Sequence, residues 1–415
     1  MLGVNLSGAE WGDENLPGQH GTHYTFHSQR SYQYWASKAL GLIRLGFRWE
    51  RLQPELFGPL DDAYLALLRQ SALWARNSAV QLIIQPHNFG RYRILENGAH
   101  REHVIDDHPL FAKPRVTRHA FADLWARLSR EFRDDAGVYG YDLMNEPHDM
   151  GRGDWRRISQ CAVDAIRAAG DGKLILVPGD AWSSSAKWAA ANGPVSWIND
   201  PAGNFQYEAH CYFDRDGSGK YAHSYDEEAA LIADLPHYGQ RRVAPFIEWC
   251  RANGVRGYLG EVGAPWEDAR WLEVLDNTLE TVTQAGMDAT YWAAGEWWEE
   301  YKIGIQPLQN FTVDRPQLAL LQKHLPAGWI ATNSAVTGSG YSFDPGSLVT
   351  ASGPGIAVDT QIELTDSAGA IWTPAIVASS PGLITYTLPP ALAPGLVRVR
   401  ALSDGAVAAA GHFAS

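Results

Sequence analysis

Two glutamates, Glu146 and Glu261, each stand at the end of a short apolar stretch of the chain. Glu146 follows YDLMN and Glu261 follows RGYLG, so each is expected to close a buried strand. A carboxylate in that position is costly to desolvate unless it faces a polar cleft. Taken singly, either glutamate could be a surface or salt-bridging residue. As a pair they predict glycosidic cleavage, in which one carboxyl protonates the leaving oxygen while the other attacks the anomeric carbon or activates water.

Eight short apolar runs would position these glutamates, and amphipathic stretches alternate with them up to about residue 325. The predicted strands are 2–6, 42–48, 80–86, 138–144, 173–178, 205–211, 256–261 and 288–293. The predicted helices are 61–77, 117–133, 154–169, 236–253 and 268–285, with Asp61 and Thr117 as N-caps. This alternation predicts an α/β fold, and the count of eight favours a (β/α)8 TIM barrel over residues 1–330. An open doubly wound sheet is the alternative, but no GxGxxG follows the first strand.

The composition and the hydrophobic pattern of the chain change after about residue 330. Gly, Ser, Pro and Ala become frequent, and short alternating runs such as TQIELTD, LITYTL and LVRVRAL are separated by turn signals. This pattern predicts a small accessory β-sandwich, Ig-like, over residues 331–415. The segment has a single tryptophan, Trp372, which favours a packing or spacer role over a sugar-binding module.

Ionisable, amide and aromatic side chains collect at the carboxyl ends of the predicted strands, where the loops of a (β/α)8 barrel build the functional site. They are Arg48, His87, Asn88, Asn145, Glu146, His210, Tyr212, Glu261 and Trp292. The fourth and seventh strands lie across the barrel mouth from each other, so Glu146 and Glu261 are expected to converge on one bond. At the opposite face these residues would serve stability, but the direction of each strand argues against that.

Six strings occur in order at these strand ends: RWERLQP, QPHN, LMNEP, HCY, GEVG and YW. The set resembles glycoside hydrolase family 5, the cellulase-like members of a large clan of barrels whose catalytic carboxylates lie on the fourth and seventh strands. The opening GVNLSGAEWG is similar to the first strand of the family's endoglucanases. The resemblance covers about residues 1–325 and not the tail. NEP alone is moderately specific, whereas the ordered set is a strong signal.

The resemblance implies a retaining mechanism with Glu146 as acid/base and Glu261 as nucleophile, their carboxyl groups about 5.5 Å apart. Arg48 and Tyr212 would hold the nucleophile ionised and oriented. Arginine suits this task because it is always charged and can fork onto a carboxylate. Arg48 could instead be an ion-pair partner of Glu50.

The resemblance also implies which residues surround the sugar. Asn145 would bond the 2-hydroxyl, a contact that tightens in the transition state. His87, with Asn88 beside it, and His210 would line the cleft, His210 near the acid/base. Trp292 would form a stacking floor under the sugar at the cleaved bond. The histidines could instead be satisfied core residues, and Trp292 could be core packing.

The loop after Trp292 departs from the endoglucanases it resembles, because it reads AAGEWWEEYKIG. Trp297, with Trp298, is predicted to stack sugars at a negative subsite. The acids of this loop could bond hydroxyls or attract a cationic sugar, with a solvated loop as the alternative; they are Glu296, Glu299 and Glu300.

Two further segments carry basic or metal-binding residue types. The long segment 88–116 could shape the cleft and meet an acidic polysaccharide. Its basic residues are Arg91, Arg93, His100, Arg101 and His103. His20, His23 and His27 invite a metal interpretation, but their spacing fits no HExxH pattern and no matching carboxylate or Cys ligand accompanies them. We expect no metal and no cofactor.

Composition limits the classes of partner. A net charge of -13 argues against a nucleic-acid binder, while 17 Trp and 17 Tyr suit sugar rings or a large core equally well. Three scattered cysteines indicate neither a disulfide framework nor a zinc site. The sequence has no 18-residue apolar run, so no membrane association is expected. Met1 leads straight into a strand-like segment without a signal peptide, so localisation is undecided between a secreted or periplasmic protein with its signal removed and a cytoplasmic one.

The favoured function is therefore an endo-acting β-1,4-glucanase that retains anomeric configuration and binds polysaccharide or oligosaccharide as a monomer. The same machinery acting on mannan, xyloglucan or a bacterial exopolysaccharide is the first alternative. A non-catalytic carbohydrate-binding barrel is the second, although such a protein would be expected to lack one of the two glutamates.

Overall fold

The computed structural model describes residues 1–298, 300–334 and 343–415. In chain order the strands β1 to β10 are Leu2–Leu6, Leu42–Phe47, Gln81–Pro86, Arg91–Glu96, Ala99–Val104, Val138–Asp142, Leu174–Pro178, Phe205–Cys211, Gly257–Val262 and Asp288–Ala294. Strands β4 and β5 form an antiparallel hairpin, and the other eight close a parallel barrel in the order β1-β2-β3-β6-β7-β8-β9-β10. Every predicted strand is present to within two residues, and the predicted TIM barrel is confirmed.

The helices α1 to α10 are Gln29–Ser37, Trp49–Leu52, Asp62–Asn77, Arg118–Phe132, Trp155–Ala168, Trp188–Asn192, Tyr225–Ala229, Tyr238–Asn253, Ala269–Gln284 and Pro316–Lys323. The five predicted helices correspond to α3, α4, α5, α8 and α9. Asp61 and Thr117 cap α3 and α4 as predicted, because their side chains accept hydrogen bonds from the backbone amides of Tyr64 and Ala120. The sequence prediction missed the hairpin and the shorter helices α1, α2, α6, α7 and α10.

The barrel interior has an apolar floor and a polar layer above it. The floor is a small cluster of buried side chains, namely Leu42, Ile83, Leu174, Leu176 and Tyr258. Side chains two residues apart on a strand share a face, so Arg44 lies on the same side of β2 as Leu42 but nearer the carboxyl end. A much larger apolar cluster packs the helices against the outside of the barrel. The floor closes the bottom of the barrel, and polar groups are therefore concentrated towards the mouth.

The C-terminal strands β11 to β18 are Ala331–Ser334, Leu348–Ser352, Gln361–Thr365, Ile371–Trp372, Ile376–Ser380, Leu383–Thr387, Leu396–Ser403 and Ala406–Ala414. They form two antiparallel four-stranded sheets, ordered β11-β12-β16-β15 and β14-β13-β17-β18. Val349 and Tyr386 from one sheet and Val399 and Phe413 from the other are fully buried, as the predicted sandwich requires. Strands β11 and β18 pack on helix α1 of the barrel.

Two parts of the sequence predictions lie outside the described residues: Glu299 in the loop after β10, and residues 335–342 at the start of the predicted sandwich. Among the described helices, each is too short or too polar to cross a bilayer.

Candidate active site

The two predicted carboxylates meet at the barrel mouth. Glu261 lies in β9 and is buried, whereas Glu146 follows the end of β6 and keeps 19% of its side chain exposed. One carboxylate oxygen of each lies within 4.8 Å of the other and of a ring nitrogen of His210. Direct attack on the anomeric carbon needs carboxyls about 5–5.5 Å apart, while an intervening water needs about 6.5–9.5 Å. The separation therefore fits retention of configuration.

The backbone around Glu146 is unusual. Its φ is +42°, in the left-handed region that residues with a side chain rarely adopt. Holding a residue there costs on the order of 1–3 kcal/mol, and such residues cluster at active sites. The strained turn directs Glu146 towards His210, whose Nδ1 lies 2.7 Å from Oε1 of Glu146.

Three side chains hold the carboxylate of Glu261. Tyr212 donates its hydroxyl to Oε2 over 2.6 Å, and Arg44 donates to Oε1 over 3.0 Å. His210 Nδ1 lies 3.4 Å from Oε2. Burial raises the pKa of Glu261 and the charge of His210 opposes that rise, while Glu146 adds to it. Arg44 and the Tyr212 hydroxyl also act to lower the pKa of Glu261, but burial prevails and the pKa stays above its usual value. Both oxygens of the carboxylate have donors.

The arginine that contacts Glu261 is Arg44 and not, as predicted, Arg48. Among the contacts of the described residues, Arg48 binds Asp13 over 2.7 Å and the backbone carbonyl of His87. It also lies 3.8 Å from Glu50, the alternative partner considered from the sequence. Arg48 stands beyond the end of β2 at the N-cap of α2, whereas Arg44 stands inside the barrel. The prediction for Arg48 was wrong in that respect.

Arg44 is fully buried and is satisfied by a set of polar partners. They are Asn5, Asp142, Asn145, Glu208 and Glu261, at 2.7–3.2 Å. A buried guanidinium requires such compensation, since an unpaired buried charge is very costly. The sequence contained a signal for this residue, because an arginine in the middle of the apolar run LIRLGF must find acidic partners.

His210 bridges two carboxylates. Its Nδ1 faces Glu146 and its Nε2 lies 2.8 Å from Oε1 of Glu208, a buried residue that the sequence analysis did not single out. Burial lowers the pKa of His210, but attraction to Glu261 and Glu208 outweighs burial and raises it to about 10. The ring is therefore an imidazolium at neutral pH and donates from both nitrogens.

Asn145 immediately precedes Glu146 in the chain and contacts His87. Asn145 accepts from Arg44, and its amide nitrogen lies 3.1 Å from Nε2 of His87. The other ring nitrogen of His87 lies 2.8 Å from the amide nitrogen of Gln85. Burial lowers the pKa of His87 well below its usual value, and the nearby guanidinium of Arg44 lowers it further. His87 is thus a neutral ring held in one orientation.

The predicted aromatic floor has the geometry of a platform. Trp292 stacks on His87 with ring centroids 5.5 Å apart and an interplanar angle of 23°. Its indole nitrogen donates to the Tyr301 hydroxyl over 3.2 Å. Trp292 is only partly buried, so one surface remains available to a sugar.

Tryptophans from two loops meet beyond this platform. Trp11 lies 4.5 Å from Trp298 and 6.1 Å from Trp297, measured between ring centroids. Trp297 is 36% exposed, which fits the predicted sugar-stacking role. Trp11, from the loop after β1, was not predicted.

Two predicted polar residues have structural partners. Asn88 bonds the backbone amide of Trp49 and the side chain of Glu50, so it fixes α2 and does not face the catalytic pair. Glu296 accepts from the amide and hydroxyl of Ser28 and from the hydroxyl of Ser31. Oε1 of Glu296 therefore links the loop after β10 to the start of helix α1.

Most of the basic residues of segment 88–116 form ion pairs with carboxylates of the protein. Arg91 pairs with Glu102, Arg93 with Asp13, and both Arg101 and His103 with Glu96, at 2.6–4.0 Å. His100 is exposed. An acidic polysaccharide would have to compete with these acids for the same cations.

The three N-terminal histidines are engaged by backbone groups. Ring nitrogens of His20, His23 and His27 accept hydrogen bonds from the amides of Phe26, Gln19 and Glu296. Such an accepting nitrogen is not free to bind a metal.

A cavity of about 430 Å³ opens beside Glu146, and Trp182 lines it. Trp182 is 43% exposed and stacks on His148 with ring centroids 4.3 Å apart and an interplanar angle of 12°. The sequence analysis missed Trp182 because it lies in a loop without strand or helix periodicity.

Several known proteins are similar to this chain in sequence and fold. The family model for cellulase (glycosyl hydrolase family 5) matches residues 4–297. The Endoglucanase gh5-1 of Neurospora crassa is 31% identical over 310 residues, which are 74% of this chain and 72% of that protein. The endoglucanase Cel5A of Pseudomonas stutzeri, solved with cellobiose, is 37% identical with a TM-score of 0.69 and covers 78% of this chain and 92% of its own. XacCel5A, solved with cellopentaose, is 34% identical with a TM-score of 0.67 and covers 78% and 98%. The chain is a glycoside hydrolase and belongs to the cellulase family, glycosyl hydrolase family 5.

Proposed function

We propose that this enzyme hydrolyses internal β-1,4-glucan bonds with net retention, using Glu261 as the nucleophile and Glu146 as the acid/base. The observation that carries the proposal is the approach of the two carboxylates to within 4.8 Å at the mouth of the barrel. That distance leaves room for a sugar carbon between them and not for a water in addition.

In the first step Glu261 attacks the anomeric carbon while Glu146 protonates the leaving oxygen. Because Oε1 of Glu146 accepts from His210, the proton is delivered from Oε2, the oxygen left free for the substrate. The attack forms a glycosyl ester on Glu261 and removes the negative charge of that side chain.

In the second step the carboxylate of Glu146 takes a proton from water, and the hydroxyl so formed displaces Glu261 from the sugar. Two inversions give net retention. Arg44 and Tyr212 receive the carboxylate of Glu261 as it is released, so the nucleophile returns to its original orientation.

The neighbouring residues are assigned to the sugar. Asn145 is positioned to bond the 2-hydroxyl, and the neutral ring of His87 fixes the amide of Asn145 through Nε2. Trp292 supports the sugar from below, and Trp297 supports the next sugars on the non-reducing side. Flat aromatic rings suit the apolar faces of glucose and bring little conformational entropy cost.

The choice of β-1,4-glucan is supported by the relatives, which include several proteins named endo-β-1,4-glucanase and structures solved with cellobiose or cellopentaose. The ion pairs within segment 88–116 weigh against an acidic polymer. Mannan, xyloglucan and a neutral exopolysaccharide remain the alternatives to test. A polymeric substrate further suggests an enzyme that acts outside the cytoplasm, and we expect it to act as a monomer.

The test combines a substrate panel with a matched pair of variants. Wild type should release reducing ends from β-1,4-glucan, and mass analysis of cellopentaose cut in ¹⁸O-water should show internal cleavage. Proton NMR should show the β-anomer first. Glu261→Ala should lower turnover at least about a thousandfold while still binding cellopentaose, whereas Glu280→Ala on the exposed face of α9 should be unaffected.

Four results would contradict the proposal. Inactivity on every β-glucan with activity on mannan would change the substrate, and the α-anomer as first product would exclude a retaining pair. Full turnover by Glu261→Ala would indicate a different nucleophile. The non-catalytic sugar-binding barrel would instead be supported by a wild type that binds cellopentaose without cleaving any substrate, so the panel distinguishes the two.

We also propose that the chain divides into a catalytic barrel, residues 1–330, and an accessory sandwich, residues 331–415. The contacts of α1 with β11 and β18 support a structural role for the sandwich. Trp372 of the sandwich packs partly buried against the apolar core and donates its indole nitrogen to Asp366, which supports the same role.

A further inference from the structure

A second pair of carboxyl groups lies beneath the catalytic pair. Asp142 ends β6 and Glu208 lies in β8, and both side chains are fully buried. They share Arg44, which donates to Oδ2 of Asp142 over 2.7 Å and lies 3.2 Å from Oε1 of Glu208. The two carboxyl groups are close enough to interact with each other. Neither residue reaches the position of a sugar.

Each member of this pair has one oxygen without a donor among the described residues. These atoms are Oδ1 of Asp142 and Oε2 of Glu208. The other oxygens are occupied, by Arg44 on Asp142 and by His210 and Arg44 on Glu208. Two ionised carboxylates with buried, unmatched lone pairs would repel each other and pay the full cost of desolvation. A single proton placed between the two orphan oxygens removes both costs.

We propose that Asp142 is un-ionised and donates its proton to Oε2 of Glu208, so that Glu208 stays a carboxylate and keeps His210 as an imidazolium bonded to Glu146 throughout the reaction. Asp142 and Glu208 are positioning residues, since they act on Glu146 only through His210. The proposal rests on the assignment of Glu146 as acid/base. It explains how one oxygen of Glu146 is permanently occupied while the other remains free for proton transfer.

The charges around the pair agree with one shared proton. Burial and repulsion from Glu208 raise the pKa of Asp142 well above its usual value, although Arg44 opposes this rise. Burial also acts to raise the pKa of Glu208, but attraction to Arg44 and His210 outweighs it and lowers the pKa. With Asp142 neutral, the cations Arg44 and His210 balance the anions Glu208 and Glu261.

The fold reserves space for the Glu208 carboxylate. A Cβ on Gly260, the residue before Glu261 in β9, would lie 1.8 Å from Oε1 of Glu208. The backbone carbonyl of Gly260 also accepts from Asn5 and Thr290, so the strand cannot easily move away. Glycine at this position therefore lets Glu208 reach His210.

Variants of similar size at position 142 show whether the reaction needs a neutral or an ionised side chain there. Asp142→Asn is neutral and can donate its amide to Glu208, so it should keep kcat within about threefold of wild type and leave the pH profile in place. Asp142→Leu has no donor and should lower kcat at least about tenfold. KM on cellopentaose should change little in both, because neither side chain touches sugar.

Glu208→Gln tests whether the charge of Glu208 keeps His210 protonated. It removes the negative charge that keeps His210 protonated, so kcat should fall at least about tenfold and the alkaline limb of the kcat profile should move to lower pH. The other titratable groups that interact with His210 are Glu146, Glu261, Asp142 and His87, which this variant retains. Ionisation of Asp142 in the variant restores only part of the lost negative charge, because Asp142 does not contact the ring.

Infrared spectroscopy detects the proton directly. In a Glu146→Gln background, which removes the acid/base carboxyl, the carbonyl stretch of an un-ionised acid at pH 7 should be lost on adding Asp142→Asn. The same band should be lost on adding Glu208→Gln, because Asp142 then ionises against Arg44, so one informative variant suffices if the other fails to fold. Asp164→Asn on α5 is the control and should leave the band intact.

Two outcomes would overturn the proposal. One is a band that survives both substitutions, which would place the proton elsewhere. The other is Asp142→Asn behaving like Asp142→Leu in kcat, which would mean that an ionised aspartate is required. These results would leave the assignment of Glu146 and Glu261 untouched, since that assignment is tested by the stereochemistry of the product and by Glu261→Ala.

Discussion

Replacing Tyr212 with phenylalanine removes one hydroxyl from the catalytic cleft and leaves the ring in place. That hydroxyl donates to Oε2 of Glu261 over 2.6 Å, and both side chains are buried. Arg44 on Oε1 and His210 near Oε2 remain, so Glu261 should keep its position approximately. The variant therefore isolates one charge-assisted hydrogen bond.

The expected effect follows from the strength of such a bond. A hydrogen bond to a charged group contributes about 1.5–3 kcal/mol. At about 1.4 kcal/mol per tenfold change in rate, its complete loss corresponds to about 10- to 150-fold in kcat. With an activated leaving group, hydrolysis of the glycosyl ester should limit kcat. Glu261 regains its negative charge in that step, so the charged hydrogen bond is absent in the ester and partly formed in the transition state. We therefore expect a fall near tenfold, with about 150-fold as the ceiling.

The pH profile supplies an independent measure. A donor on the carboxylate lowers the pKa of Glu261, so removing Tyr212's hydroxyl should raise it further above its usual value. Glu261 must be ionised to attack, and the acid limb of kcat/KM reports the free enzyme. The acid limb should consequently move to higher pH.

The assay uses an aryl β-cellobioside with an activated leaving group, for which protonation by Glu146 is not required. Under these conditions the acid limb reports Glu261 alone. Tyr139→Phe, at the amino-terminal part of β6, is the control for loss of a hydroxyl. Unchanged kcat together with an unmoved acid limb of kcat/KM in Tyr212→Phe would refute the role assigned to this hydrogen bond.

Further expectations concern the arginines, one buried histidine and the sandwich. Arg44→Lys keeps the positive charge but loses the planar guanidinium that bonds several partners at once, so kcat on cellopentaose should fall at least about a hundredfold. Arg48→Lys should stay within about tenfold of wild type. Equal losses in the two variants would contradict the assignment of Arg44. Burial lowers the pKa of His27 to about 4, so the unfolded chain binds more protons between pH 6.5 and 4, and stability should fall over that window by on the order of 3 kcal/mol. Urea unfolding should show a shallower pH dependence for His27→Gln, and an identical dependence would show that another group is responsible. Deleting residues 331–415 exposes α1 and should lower Tm by several degrees without changing kcat/KM on cellopentaose; a lower rate on polymer alone would indicate a targeting role.

The strands and the catalytic glutamates were predictable because their signals are local. A barrel strand appears in the sequence as a short, mostly apolar run, and its carboxyl end is marked by polar side chains such as Glu146 and Glu261. Helices α3 and α4 were placed well because a cap and an apolar period mark them. Helix α1 was missed, since QRSYQYWAS is short and has no side-chain cap.

The supporting residues were harder to predict because their roles depend on depth within the barrel. Arg44 and Arg48 are four residues apart at the same strand, and only the closed barrel shows that the inner one reaches Glu261. Glu208 stands two residues before His210 on the same face of β8, a position that looks like core in the sequence. Trp182 lies in a loop, where the sequence carries no periodic signal.

The sequence by itself determined the alternation of strands and helices and the identity of the two carboxylates, because each depends on residues that are neighbours in the chain. Tertiary structure decided which arginine holds the nucleophile, which oxygen of Glu146 remains free and how the buried charges balance. The contact between Arg44 and Glu261 joins residues 217 positions apart, and it exists only once β2 and β9 face each other across a closed barrel. Charge and protonation in a buried site depend on distances of this kind, which no local pattern encodes.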